Sequence, residues 1–325
     1  MYEAYYGLAE RPFDLTPNPK FLLLTGKHRE ALSNLVYGLR SRRGLTLLVG
    51  DAGTGKTTVV RTVVHDLEGR GATIAYLNNP TLTRGEFYEF VADAFRLPPA
   101  SVASKTRLLA ELARTLEARL QADALSGLII DEAQVVPDDL LEEVRLLANI
   151  ETPTHKLLSI VLAGQPELAS RLNQASLRQL KQRVALRCEL KPLEARESAE
   201  YIASRIRVAG GDPAVLFTRA AVDAIVERSG GIPRLISVLC DNALISGFAA
   251  DRRPVTRDLV EDVCRDFDLG VPHSEAAPAD RAGVPSQAGA PGRPVPVARE
   301  RAHVRHGPEE RSFFEYFNLR RRFSL

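Results

Sequence analysis

Tryptophan is absent from the 325 residues, methionine occurs once and cysteine three times. Cys188, Cys240 and Cys264 are odd in number and far apart, which excludes a disulfide framework and a zinc cluster as organising devices. They read as buried free thiols of a reducing compartment, so a cytoplasmic location is expected. No apolar run reaches the ~18 residues of a membrane span. Met1-Tyr2-Glu3-Ala4 does not begin a signal peptide. Membrane attachment would therefore need a partner. An excess of one charge is missing as well. Lys and Arg number 43 against 41 Asp and Glu, a net of +2. From Asp268 to Leu325 nine Arg face seven acids, so residues 1–267 sum to zero. A general basic footprint for nucleic acid is thus absent. The remaining balance, 45% hydrophobic and 26% charged, is that of a soluble globular chain with one large or two modest domains.

One stretch carries chemistry. Gly50-Asp51-Ala52-Gly53-Thr54-Gly55-Lys56-Thr57-Thr58 fits G-x-x-x-x-G-K-[ST], a phosphate-binding loop. Leu45 to Val49 before it is short and apolar, as a buried strand is. Val59, Val60, Val63, Val64 and Leu67 follow at helical spacing up to Gly69. The glycines let backbone N–H groups curl around phosphate oxygens, and the helix start adds partial positive charge. All nine loop residues are therefore candidate ATP contacts. Lys56 is expected at the outer phosphates and Thr57 at Mg²⁺. A second signature is Leu128-Ile129-Ile130-Asp131-Glu132, an apolar strand ending in adjacent acids. Asp131 is expected to bind Mg²⁺ through water, and Glu132 to polarise the attacking water.

The rest of the chain divides around these motifs. Residues 1–44 form a proline-punctuated lead-in with a helix from His28 to Leu39. It is expected to pack on the nucleotide domain, either covering the adenine or serving as a structural extension. Residues 45–193 alternate strands and helices, which predicts a mostly parallel sheet with helices on both faces. Further strands are expected at Thr73 to Leu77, Leu157 to Ala163 and Val184 to Leu190. The last alternates apolar and polar residues, as a sheet edge does. Residues 194–267 turn all-helical and predict a small lid domain, with Thr256 as an N-cap. Residues 268–312, rich in Pro, Ala and Gly, read as a disordered linker. The aromatic and basic segment 313–325 reads either as a docking peptide for a partner or as a frayed tail.

Two nucleotide motifs followed by a helical lid resemble the AAA+ ATPases, and more closely the ExeA-like, general secretion pathway protein A family. The resemblance covers roughly residues 1–267. It rests on Tyr5-Tyr6-Gly7-Leu8, Pro12-Phe13-Asp14-Leu15-Thr16-Pro17, His28-Arg29-Glu30-Ala31-Leu32 and the loop itself. It continues through Asp131-Glu132-Ala133-Gln134, Ala163-Gly164-Gln165-Pro166-Glu167-Leu168 and Gly230-Gly231-Ile232-Pro233-Arg234. By position, the resemblance implies that Gln165 senses the γ-phosphate and that Arg234 is the lid arginine at the nucleotide. A strand-end Gln165 bonding the backbone is the other reading. Arg183 falls where related ATPases place an arginine finger, with a solvated arginine as the alternative. Asn78 falls where a residue holds the catalytic glutamate idle, or it forms a turn before Pro80. Members often continue into a membrane span and a cell-wall-binding domain, for which there is no counterpart in the linker and tail. Peptidoglycan binding is therefore not expected.

Motifs and resemblance together imply Mg²⁺-dependent ATP hydrolysis in a homo-oligomer with sites between subunits. The process implied is assembly of a secretion or cell-envelope system, including pilus and exopolysaccharide systems. A DNA-associated regulator of transposition, of the TniB kind, or of replication initiation is the second reading. The neutral core disfavours it, because phosphate contacts need clustered Lys and Arg. A scaffold with negligible turnover is the third, disfavoured by Glu132 and Arg183.

Overall fold

A computed structural model describes residues 1–268 apart from 17, 18, 22 and 24. The linker beyond Asp268 and the tail 313–325 lie outside the described residues. Five strands build one sheet: β1 (Leu45–Gly50), β2 (Thr73–Leu77), β3 (Ser126–Ile130), β4 (Ser159–Gly164) and β5 (Val184–Leu190). Their order is β2-β3-β4-β1-β5, and every pairing is parallel. The continuous apolar runs occupy the middle, where β1, β3 and β4 are buried at every position. β5 alternates exposed and covered residues at the edge, as its sequence predicts.

The first eight helices are α1 (Tyr2–Tyr6), α2 (Gly26–Arg40), α3 (Lys56–Glu68), α4 (Arg84–Ala94), α5 (Lys105–Gln121), α6 (Asp138–Leu147), α7 (Pro166–Leu172) and α8 (Arg178–Lys181). The other five follow the sheet: α9 (Ala195–Val208), α10 (Pro213–Leu216), α11 (Arg219–Ser229), α12 (Pro233–Ala249) and α13 (Arg257–Asp266). Local chemistry sets several ends. Thr83 and Glu86 form a reciprocal capping box on α4, satisfying two orphan N–H donors. Gly230 takes a left-handed conformation (φ 56°) and stops α11. Thr256 holds the N-cap position of α13 as expected, but its hydroxyl bonds the Asp258 carboxylate and no side-chain cap forms.

Two hydrophobic cores result. One joins the sheet to α4, α5, α6 and α7, through residues such as Leu47, Phe87, Leu112, Ile130, Leu141 and Leu162. The other joins α9, α11, α12 and α13, and it also takes in Tyr2, Tyr6, Leu8, Phe13 and Phe21. The lead-in, expected as one segment on the nucleotide domain, is thus shared. Its aromatics leave water by entering the helical core. Only α2 returns to the sheet, where Gly38 leaves room for Thr46 of β1 and Ser159 of β4 donates to Leu39 O at 3.0 Å.

Arg205 of α9 holds this arrangement. It is 8% exposed. Its guanidinium donates to Pro12 O, to Asp14 O at 3.2 Å and to Tyr201 Oη at 2.7 Å. It also lies over the Phe21 ring, 4.9 Å from the centroid. Arg205→Ala leaves two backbone carbonyls of the lead-in without that donor and removes the ring contact. It should cost about 2–4 kcal/mol and expose the 9–21 segment to protease. Thermal melts and limited proteolysis check this. An unchanged melting temperature with unchanged cleavage contradicts it.

Candidate functional site

β1 ends at Gly50, and the chain turns through Asp51 to Gly55 before α3 starts at Lys56. The turn needs backbone that other residues resist: Gly53 has φ 80° and Gly55 φ 100°. Thr54 is fully buried and its Oγ1 donates to Asp51 O at 2.8 Å, closing the loop on itself. Lys56 is 4% exposed. Its Nζ donates to Gly50 O at 2.8 Å and Asp51 O at 2.9 Å, so the ammonium folds back across the loop. Burial lowers its pKa, while the Glu132, Asp131 and Asp51 carboxylates act against that shift.

The acids arrive from β3. Asp131 N donates to Leu77 O at 2.8 Å, extending the β2–β3 pairing by one residue. Asp131 is 1% exposed. One carboxylate oxygen, Oδ2, accepts from Thr57 Oγ1 at 2.7 Å and from Tyr76 Oη at 3.3 Å. The other accepts from Glu132 N at 3.0 Å. Thr57 and Asp131 are 74 positions apart in sequence, and their oxygens meet at the mouth of the loop. A hydroxyl and a carboxylate in contact are the hard oxygen donors Mg²⁺ takes, so the residues fit that ion.

Glu132 has a left-handed backbone, φ 52°. Its carboxylate accepts from Gln134 Nε2 at 2.6 Å. Asn78, read either as a restraint on that glutamate or as a turn residue before Pro80, is exposed, and the bond to the carboxylate comes from Gln134. Gln165 caps α7, and its N–H donates to Gln134 Oε1 at 3.1 Å. From the helical domain, Arg234 on the first turn of α12 donates its N–H to Gly53 O at 3.3 Å. A Cβ on Gly53 would sit 2.7 Å from Arg234 Cβ and 3.0 Å from Ile232 Cγ2. The lid therefore rests directly on the loop, and its Arg234 side chain is exposed there.

Arg183 is not part of this constellation. Val184 after it pairs with Leu45 at the start of β1, whereas Gly50 pairs with Leu190. The separation is about 17 Å along the strand. Arg183 instead lies near Glu151, whose carboxyl is held below its usual range by Lys156 and, to a lesser degree, by Arg183. A polar cleft of about 310 Å³ opens beside the loop, between Asp51, Ser170 and Asn173 of the α7 end, and Arg187, Glu189 and Lys191 of the edge.

Sequence reading passes over His28, Tyr76 and Gln134. Gln134 carries a signal in its place two residues after Glu132. Tyr76 and His28 reach the site through pairing and packing that spacing does not encode. His28 is 5% exposed. Its Nε2 lies 3.2 Å from Thr54 O and its Nδ1 2.8 Å from Thr25 Oγ1. A carbonyl only accepts, so Nε2 carries the proton and Nδ1 accepts from the threonine.

A 2-3-4-1-5 parallel sheet, a glycine loop after β1, acids after β3 and a helical domain resting on the loop define the AAA+ fold. Residues 39–172 match the AAA domain family. Over 250 residues, 77% of this chain, the sequence is 44% identical to General secretion pathway protein A of Aeromonas hydrophila. The chain spans 45% of that relative's length. Among solved structures it is similar to CDC6p of Pyrobaculum aerophilum, with a TM-score of 0.60 and 16% identity over 78% of this chain and 70% of that one. It is also similar to the ORC2 protein of Aeropyrum pernix in its ADPNP-ADP complexes, with a TM-score of 0.58 and 19% identity over 79% and 71%. At such identities these structures show the fold alone. Among the described residues no helix is long and apolar enough to cross a membrane.

His28 makes the site's surroundings sensitive to acid. Burial lowers its pKa, with the Thr54 carbonyl acting against the shift. The unfolded chain therefore binds the proton first as pH falls. The stability from neutral His28 is complete above the ordinary imidazole value of 6.5 and is lost as pH drops through the depressed folded value. The parent should lose melting temperature more steeply than His28→Gln between about pH 7 and pH 5. Identical slopes contradict this.

Proposed function

We propose that this chain binds ATP with Mg²⁺ and hydrolyses it to ADP and phosphate. The observation that carries the reading is the meeting of Thr57, Asp131 and Lys56 at one glycine loop, with the Thr57–Asp131 contact at 2.7 Å. Lys56 exchanges its two loop carbonyls for oxygens of the outer phosphates. The loop N–H groups take the remaining phosphate oxygens. Bound by Thr57 and Asp131, Mg²⁺ would neutralise charge on the phosphates. Glu132 accepts the proton of the attacking water. Gln165 stands at the end of β4, where a γ-phosphate sensor is needed, and Arg234 brings the lid to the nucleotide. His28 and Arg234 touch the same loop from opposite elements, and the base is proposed to lie between them.

Arg183 acts in trans in this reading. Its place at the far end of β5 from its own loop supports that role, because there it is out of reach of its own chain's nucleotide site. The active form is then a homo-oligomer. The relative's name supports a role in secretion, and the reading extends this to cell-envelope assembly, with the protein in the cytoplasm or peripheral at the inner membrane through a partner. Regulation of DNA transactions is the lesser reading, since residues 1–267 carry no net charge.

Glu132→Gln should keep ATP binding and lose about 10²–10⁴-fold in turnover, because the amide cannot accept a proton. Phosphate release beside a binding titration checks this, and parent-rate turnover would remove Glu132 from the role. Arg183→Ala should bind ATP normally and turn over about 10³-fold more slowly. Mixing Arg183→Ala with Lys56→Ala should restore activity, since each chain supplies what the other lacks. A dead mixture, with parent activity per subunit independent of concentration, would sink the trans assignment.

A further inference from the structure

Gln134 has no part in the reading above, yet its side-chain amide is held at both ends. Nε2 donates to Glu132 Oε2 at 2.6 Å, and Oε1 accepts from Gln165 N at 3.1 Å. The amide thus bridges the carboxylate beyond β3 and the first residue beyond β4. Its orientation is fixed by its partners. Reversed, it would set its oxygen against a carboxylate and its NH₂ against an N–H donor. The neighbouring backbone leaves space for the amide to sit there. A Cβ on Gly164 would lie 2.9 Å from Gln134 Oε1 and 3.3 Å from Gln134 N, so glycine at that position makes the space.

The backbone of the same loop is tied down too. Arg171 of α7 donates to Gln134 O at 2.6 Å and to Val136 O at 2.8 Å, and it pairs with Asp138. The segment from Glu132 to Val136 is therefore fastened to the β4–α7 junction through side chain and main chain at once. Glu132 needs such fastening, because its φ of 52° is a conformation that residues other than glycine rarely adopt.

We infer that Gln134 is a positioning residue for ATP hydrolysis, holding one carboxylate oxygen of Glu132 so that the other is presented to the attacking water. Through Gln165 N, the same amide makes that presentation depend on the end of β4. The inference rests on Glu132 being the proton acceptor. A purely structural Gln134 would act on folding and affinity, whereas a positioning one acts on turnover through Glu132.

The test uses the full chain with ATP and Mg²⁺, reading phosphate release, affinity for a fluorescent ATP analogue and melting temperature. Gln134→Glu keeps the size and the acceptor for Gln165 N but sets a second carboxyl against Glu132 in place of a neutral N–H donor. Its kcat should fall about 10- to 100-fold, the loss of one hydrogen bond to a charged group. KM and analogue affinity should stay within about threefold, a shift small beside that loss. In a Glu132→Gln background the same substitution should cost nothing further. Gln134→Leu should match Gln134→Glu in kcat; if it fails to fold, Gln134→Glu decides alone. A parent kcat in Gln134→Glu, a kcat above the parent, or an equal loss in the Glu132→Gln background overturns the inference. Parent-rate turnover by Glu132→Gln alone removes the underlying reading first, and this inference falls with it.

Discussion

The parallel pairing of β1 with β4 and β5, and of β3 with β4, is the constraint on which the rest of the molecule depends. Parallel strands end on one side of a sheet. Gly50, Asp131 and Gln165, distant in sequence, therefore leave the sheet along the same edge. The Gln134–Gln165 contact joins the neighbouring ends of β3 and β4, the Thr57–Asp131 contact joins the ends of β1 and β3 with β4 between them, and both exist only in that alignment. Burial of the central strands on both faces holds the register. A slip of one residue would turn buried positions such as Leu47 and Leu162 to the opposite face.

The loop is held from outside the sheet as well. α12 of the helical domain reaches Gly53, and His28 of α2 reaches Thr54. The lead-in connects the two contacts physically. Tyr2, Tyr6, Leu8, Phe13 and Phe21 share the helical core, with Arg205 bonding the Pro12 and Asp14 carbonyls, while α2 packs on the sheet. In the proposed function, a rotation of the lid would act on the loop through the Arg234–Gly53 contact. Such a contact is what coupling of nucleotide occupancy to domain angle would use in the proposed function.

Much of this was legible in the sequence, and for identifiable reasons. Hydrophobic continuity in Leu45 to Val49 and Leu128 to Ile130, against alternation in Val184 to Leu190, separates central strands from the edge. The loop and the acids after β3 are contiguous motifs, so their chemistry is written locally. What escaped were features that depend on three-dimensional neighbours. The lead-in contains Phe13 and Phe21 without periodicity, and nothing local says that they enter the helical core. Short helices such as α8 and α10 are one turn long and leave no periodic trace. The bond to Glu132 comes from Gln134, beside which Gly164 leaves space, and spacing alone does not reveal that space.

The central claim is that the glycine loop, Lys56 and the acids after β3 form one nucleotide site. A calorimetric titration of the purified chain with Mg²⁺ and a non-hydrolysable ATP analogue tests it most directly, with Lys56→Ala measured beside the parent. The account predicts saturable binding at one site per chain in the parent. In Lys56→Ala, affinity should fall at least about tenfold, the loss of a charge-assisted contact to phosphate. Binding of equal strength in both proteins, or none in the parent, would contradict it.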